Sequence, residues 1–161
     1  MYQDVEAVLG LPISLIVALI VTSIVLGGFA LSIFHVMHDS QTLQIEAELQ
    51  KIRTKAQNMY EYADEGSRTI VPVSFPGSMH FLVFGGLPKN TTDFPYNLSL
   101  DEQTSNNYYY VMNDGFVAVY HSNVRFSGNT TNTIAVFRPG THYLSLELVT
   151  MEGKTYVTIS E

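Results

Sequence analysis

A long run of apolar positions near the start of the chain dominates its pattern. From Leu9 to Met37 the sequence contains no Asp, Glu, Lys or Arg, and seventeen of the positions are Leu, Ile, Val or Phe. At a helix centre such residues each contribute roughly −0.3 to −0.6 kcal/mol to insertion into a membrane, which sums to about −5 to −10 kcal/mol. As a helix the run would span about 43 Å, whereas a bilayer core is about 30 Å thick. The run is therefore longer than one membrane crossing needs.

The periodicity then changes to that of an amphipathic helix. Neither Gly nor Pro occurs from Ala30 to Glu65. Apolar residues recur at spacings of three and four, at Ile45, Leu49, Ile52, Ala56, Met59 and Ala63. This spacing places them in one seam along the helix. We predict one continuous helix from about Leu11 to about Ala63, whose seam packs either on the β domain of the same chain or on neighbouring helices.

The start of this helix has two interpretations. The stretch Gly10-Leu11-Pro12 favours a start near Leu11, because proline suits the first turn of a helix. Alternatively, the helix starts at Asp4, where acidic side chains favour a helix N-terminus, and Pro12 introduces a kink. Gly10 and Pro12 are therefore the candidate residues for a helix start or kink.

Gly27 and Gly28 lie inside the apolar run. Small residues let a neighbouring helix approach closely, so this pair predicts packing between helices. The alternative is a locally unwound stretch, because glycine disfavours a helix interior. The residues that we expect to pack between helices are Leu15, Leu19, Gly27, Gly28, Phe29, Ile33, Ile45, Leu49 and Ile52.

After Gly66, which we expect to end the helix, the pattern becomes strand-like. The predicted strands are 69–75, 79–84, 107–112, 116–122 with a possible extension at 124–127, 133–138, 143–150 and 155–160. Asn113-Asp114-Gly115 and Glu152-Gly153 predict two hairpin turns, and the polar segment 87–107 predicts a loop. Seven or eight short strands are typical of a β-sandwich or open barrel. We therefore predict an α+β chain with a long helix at 1–66 and a sandwich-like β head at 67–161.

Charge and cysteine content exclude several classes of function. The net charge of −7 argues against binding of nucleic acid, and the absence of cysteine excludes disulfides and Cys-ligated metals. The first basic residue is Lys51. By contrast, a cleavable leader peptide begins with basic residues, and the cytoplasmic flank of a membrane-spanning helix is enriched in Lys and Arg. Either a basic leader has been removed, or the N-terminus faces outward and Lys51, Arg53 and Lys55 face the cytoplasm. We favour the first interpretation because of the glycosylation sequons.

Three N-x-S/T sequons begin at Asn90, Asn97 and Asn129, and none has proline in its middle position. Each falls in a predicted loop, from which a glycan can project. The sequons predict N-glycosylation of the head and place it outside the cytoplasm.

No motif for catalysis or for a cofactor is visible. Asp101 and Glu102 are adjacent, and no nucleophile elbow or paired His-carboxylate motif occurs. His35 and His38 are three residues apart, but no third metal ligand completes a pattern. The Tyr108–Tyr110 run could form a sugar-binding platform, although alternate rings would more simply divide between core and surface. We therefore expect no enzymatic activity, no cofactor and no metal.

The layout resembles that of archaeal type IV pilin-like proteins, a group that includes pilins and archaellins. The stretch EAVLGLPISLIVALIVTSIVLGG (Glu6 to Gly28) is similar to the N-terminus of that group. The stretch AQNMYEYADEGSRTIVPVSFPGSMHFLVFGG (Ala56 to Gly86) is similar to its junction between helix and head. Two features depart from the wider pilin pattern: Val5 stands where bacterial pilins carry Glu at the fifth mature position, and no basic-Gly processing site is visible.

The resemblance implies a structural subunit that polymerises with copies of itself through its apolar helix. It implies an extracellular filament for adhesion or motility, and insertion in the cytoplasmic membrane before assembly. Prepilin peptidase, an assembly ATPase and a membrane platform protein would be its partners. Two other functions stay open. One is a membrane-anchored minor pilin or archaellum stator-type protein whose head binds the cell envelope. The other is a single-pass surface binding protein with a sugar-binding head.

Overall fold

One long helix precedes eight strands in the part of the chain described by a computed structural model. The structure describes residues 4–89, 94–95, 99–129 and 132–161, with the backbone alone for residues 4–12, 34, 35 and 38. The elements are α1 (Asp4–Tyr62), β1 (Arg68–Phe75), β2 (Met79–Phe84), a short 3-10 helix (Glu102–Thr104), β3 (Asn107–Met112), β4 (Val117–His121), β5 (Phe126–Ser127), β6 (Ala135–Phe137), β7 (Gly140–Met151) and β8 (Lys154–Ser160). The predicted α+β class is confirmed, and the finer expectation of a sandwich stays a prediction.

Two compact units divide the chain inside α1, as Met1–Ser40 and Gln41–Glu161. The sequence predicted a division at the end of the helix, between residues 66 and 67. The second unit includes the last part of α1 because Ile45 and Ile52 are completely buried in its core.

Both ends of α1 differ from the simplest prediction. The helix begins at Asp4, so Gly10 and Pro12 lie inside it rather than at its start. The observed start agrees with the second of the two interpretations, in which the helix begins at Asp4. At the other end α1 stops at Tyr62, four residues before Gly66. Gly66 has a φ of 83°, and its N–H donates to the carbonyl of Leu148 at 2.8 Å, so it turns the chain into β1.

The strands form two four-stranded sheets. Sheet A has the order β1-β7-β8-β5 and sheet B the order β4-β3-β2-β6. Both predicted hairpins are present, as β3–β4 and β7–β8. The second turns through Glu152 at φ 48° and Gly153 at φ 76°, which is the conformation of a two-residue hairpin loop. β5 is not an extension of β4, as the sequence suggested, but pairs in parallel with β8.

The main core of the second unit joins α1 with both sheets. Its buried side chains include Ile45, Leu49 and Ile52 of α1, Val71, Leu144, Leu146 and Ile159 of sheet A, and Leu82, Phe84, Tyr108 and Tyr110 of sheet B. A second cluster of Phe81, Val83, Tyr109 and Val111 contains the alternate side chains of β2 and β3. The central strands of sheet B are thus buried on both faces, which explains why β2 and β3 are continuous apolar runs rather than alternating ones.

Candidate functional site

The surface of α1 from Ile13 to Ile33 is apolar and uncovered. Every residue in this range is exposed, with Ile24 at 70% and Phe29 at 65%. The range has 21 residues, and among the described residues it is the one helical segment long and apolar enough to cross a membrane. At about 1.5 Å per residue it spans about 32 Å, close to the thickness of a bilayer core.

Two of the polar side chains within this segment bond to the helix itself. The hydroxyl of Ser23 donates to the carbonyl of Leu19 at 2.8 Å, and that of Ser32 donates to the carbonyl of Gly28 at 3.1 Å. Such bonds to the preceding turn are typical of Ser in apolar surroundings. The segment can therefore lie in lipid or among apolar helices without losing these hydrogen bonds.

Gly27 and Gly28 lie within continuous helix, so the structure does not have the unwound stretch that was one alternative. An added Cβ at either position would meet no atom within 4 Å. The pair therefore forms a low point on the helix surface that is open to a neighbouring chain. The other predicted packing residues of this segment, Leu15, Leu19 and Ile33, are 54–63% exposed. Their packing against another helix stays a prediction.

The second set of predicted packing residues is buried within the second unit. Ile45, Leu49 and Ile52 are 0%, 3% and 0% exposed and pack in the core with strands of both sheets. Of the two alternatives for the seam, the structure has packing on the β strands of the same chain. These three side chains therefore leave no surface for a helix of another subunit.

Hydrogen bonds at the edges of both sheets hold this part of α1. The amide of Gln44 donates to the carbonyl of Ser74 in β1 at 3.3 Å, and the hydroxyl of Tyr120 in β4 donates to Glu46 Oε1 at 3.0 Å. Burial raises the pKa of Tyr120 above the ordinary value of 10.0, and the hydrogen bond to Glu46 raises it further. The Tyr120 hydroxyl therefore remains a donor to the helix across neutral and mildly alkaline pH. Sequence reasoning missed this contact, because its partners are 74 residues apart.

The three tyrosines of β3 do not form an exposed platform. Tyr108 and Tyr110 lie in the main core, Tyr109 lies in the second cluster, and all three are at most 3% exposed. Tyr108 stacks instead on Tyr120, with ring centroids 5.2 Å apart. The rings alternate between two buried clusters rather than between core and surface as the sequence predicted, so neither side of the strand leaves them open to a sugar.

The described part of the sequon-bearing loops meets at the edges formed by β5 and β6. Asn129 is exposed in the bend after β5, whereas Asn90 and Asn97 lie outside the described residues. Ser99, which completes the second sequon, forms a β-bridge with Thr133, and the N–H of Leu100 donates to the carbonyl of Asn132 at 2.7 Å. β5 is the last strand of sheet A and β6 is the last strand of sheet B. They therefore lie at the opposite edges from β1 and β4, the strands to which α1 is hydrogen-bonded.

Phe94, which lies between the first two sequons in the sequence, makes an aromatic contact with β2. The ring of Phe94 packs edge-on against Phe81, with centroids 5.8 Å apart, and the guanidinium of Arg138 lies 4.5 Å above the Phe94 ring. The sequence offered one signal that was not used, since Phe94 is a large aromatic residue in an otherwise largely polar segment.

The described residues contain no arrangement for metal chemistry. His80, His121 and His142 lie on β2, β4 and β7, and no group of three His, Asp or Glu side chains in this part of the chain is placed to hold a metal. His142 instead bonds to the Glu161 carboxylate at 3.0 Å and to the Arg138 carbonyl at 2.9 Å.

Comparison with protein-family models, curated proteins and solved structures finds no match. The likeness to archaeal type IV pilin-like proteins therefore remains a resemblance in sequence and layout, and the function that it implies is a proposal.

Proposed function

We propose that this chain is a structural subunit of an extracellular filament of the archaeal type IV pilus kind, with a sandwich-like head. The observation that carries the proposal is the apolar surface of Ile13–Ile33, which is exposed on all sides of the helix. Burying one such side chain is worth about 1.5–3 kcal/mol, so a surface of this size must be covered. A helix that is apolar all round suits both lipid and a bundle of like helices.

The length of the apolar run supports a bundle as the final state. Leu9 to Met37 would extend about 43 Å as a helix, which exceeds a bilayer core by about 13 Å. In a bundle the whole run is buried, whereas in a bilayer the excess must tilt or meet the interface. The membrane would therefore hold the subunit before assembly, and copies of the same helix would cover it afterwards.

The position of the sequons supports an extracellular head. The loops that carry them meet at the β5 and β6 edges, whereas α1 packs at the β1 and β4 edges. Glycans at Asn129 and in the 87–100 loop would thus leave the helix side free for assembly. Adhesion or motility, and the assembly machinery implied by the resemblance, follow from this proposal.

A membrane-anchored surface protein is the second candidate. The observation in its favour is that Ile45, Leu49 and Ile52 are covered by the head of their own chain rather than left for a neighbour. Such a protein would keep Ile13–Ile33 in the bilayer and make no long filament.

Electron microscopy of material sheared from cells, with mass spectrometry of its main band, separates the two candidates. Filaments composed of this chain, with a glycan mass at Asn129, are the expected result. A chain that stays in the membrane fraction, with no filament containing it, would establish the anchored protein instead.

Replacement of Gly27 tests the role of the helix surface. We expect Gly27→Leu to reduce filament yield more than membrane insertion, because the added side chain fills the low point that a neighbouring helix would approach. Ile24→Leu, which alters an exposed apolar residue without filling that low point, is the matched control. Equal insertion and equal filament yield in both variants would argue against packing at Gly27.

A further inference from the structure

A groove of about 590 Å³ lies between the surface of α1 and strand β1. Ala47 and Thr54 line it from the helix, and Ile70 and Pro72 line it from the strand. The side chains of β1 alternate, so that Ile70 and Pro72 are exposed while Val71 is buried. Ile70 is 63% exposed, so its side chain is open to an occupant of the groove. The groove therefore offers an uncovered apolar surface on the second unit.

The groove is also basic, in a chain that is otherwise acidic. Lys51 and Lys55 line it, and no lining residue is acidic. Together with Arg53 they place three of the eight basic residues of the chain within five positions, against a net charge of −7. Lys51 pairs with Glu48 at 2.8 Å, whereas Lys55 has no ion pair with any described residue. An occupant should therefore combine apolar side chains with negative charge.

The stretch ahead of the apolar run has this combination. Val5, Val8 and Leu9 are spaced by three and four residues and share one face of a helix, and the backbone is helical from Asp4 onward. At 3.6 residues per turn, Asp4 and Glu6 each lie about 100° from Val5, on its two sides. The next acidic residue is Asp39, beyond the apolar run.

We propose that the segment Asp4–Leu9 of a second copy docks in this groove, where Val5, Val8 and Leu9 cover the apolar surface and the two carboxylates face Lys51 and Lys55. The occupant must come from another copy, because Asp4–Leu9 and the lysines belong to the same continuous helix. The proposal deepens the self-assembly proposed above and rests on it. Opposite charges at such an interface fix its register as well as adding affinity.

Cysteine cross-linking tests the contact directly, since the natural chain has no cysteine. Two tagged full-length populations, one with Val5→Cys and one with Thr54→Cys, are co-expressed and oxidised in membranes and in sheared material. A disulfide requires Cβ atoms about 3.5–4.5 Å apart, so we expect a mixed dimer carrying both tags in sheared filaments. We expect none in membranes, where the span Ile13–Ile33 separates residue 5 of one copy from residue 54 of another. Leu87→Cys, at an exposed site outside the groove, should give none with Val5→Cys. Cross-linking of Thr54→Cys with Ile24→Cys, but not with Val5→Cys, would overturn the assignment of the occupant.

Charge reversal tests the electrostatic part of the contact. Lys51→Glu with Lys55→Glu should lower the yield of mixed dimer about tenfold, because like charges then face each other. Asp4→Lys with Glu6→Lys, combined with the first pair, should restore the yield. Failure of this rescue, in chains that insert and fold normally, would overturn the proposal.

Two control variants keep the charge-reversal result specific. Lys89→Glu reverses one positive charge at an exposed site outside the groove and should leave the cross-link unchanged. Asp39→Lys should not rescue the reversed groove. Filaments without the cross-link would overturn the groove contact and leave the filament unaffected, whereas a chain that gives neither filament nor cross-link would overturn the proposed function itself.

Discussion

Replacement of Ile52 by alanine measures how strongly the head depends on α1. Ile52 is completely buried among side chains of both sheets. The change removes three carbon atoms, worth about 2.4 kcal/mol at about 0.8 kcal/mol each. The cavity left behind adds to this, and buried Ile→Ala changes cost about 2–5 kcal/mol. We expect a loss of about 3 kcal/mol in the free energy of unfolding of the second unit.

Thermal unfolding of the full chain in detergent micelles is the assay. The chain has ten tyrosines and no tryptophan, so near-UV circular dichroism reports the packing of tyrosines such as Tyr110 in the core. For a domain near 100 residues about 1 kcal/mol shifts Tm by about 4 °C, so we expect a decrease of about 12 °C. Leu43→Ala, at a position of α1 that is 64% exposed, is the control. Alanine has a higher helix propensity than either Ile or Leu, so a change in helix propensity cannot cause the decrease in Tm. Equal melting temperatures for Ile52→Ala and Leu43→Ala would refute the packing of the seam in its own head.

Two further predictions concern the β head. Gly128→Ala should lower stability by about 1–3 kcal/mol, because the added Cβ would lie 2.7 Å from the carbonyl oxygen of Ile134. Gly77→Ala, where a Cβ meets no atom within 4 Å, should change the urea midpoint little, and similar losses in both would contradict the close approach. For alkaline pH, burial raises the pKa of Tyr110, and burial with the bond to Glu46 raises that of Tyr120. The folded state then holds protons that the unfolded state releases, so stability is complete below pH 10 and falls as pH rises above it. Tm should drop less steeply between about pH 9 and pH 11 in Tyr120→Phe than in the natural chain, and parallel curves would show that Tyr120 is not involved.

Local pattern was sufficient to predict the helix and most strands. The absence of Gly and Pro from Ala30 to Glu65 and the spacing of three and four predicted the second half of α1 and its buried seam, because burial of one face decides the conformation of such a segment. The turn at Asn113-Asp114-Gly115 gave the β3–β4 hairpin for a similarly local reason. The helix start was mistaken because one proline was given more weight than the helix formers and acidic residues before it.

Contacts between distant segments were beyond the reach of sequence pattern. The parallel pairing of Phe126 with Val157 in β5 and β8 depends on where the rest of the sheet places those strands. The bond between Glu46 and Tyr120, and the groove beside β1, likewise exist only once helix and strands have packed. No periodicity or motif encodes them, since each partner taken alone resembles an ordinary surface residue.

The pairing of β1 with β7 constrains when the head can fold. Arg68 lies opposite Glu147 and Phe75 lies opposite Gly140. β1, the first strand along the chain, therefore cannot pair until β7 is present. Closing loops of this length has an entropic cost, and contacts between distant segments slow folding to the range of milliseconds to seconds. During synthesis sheet A has no partner for β1 until residues 140–151 have emerged. Sheet A is therefore completed late, after residues 140–151 have been made.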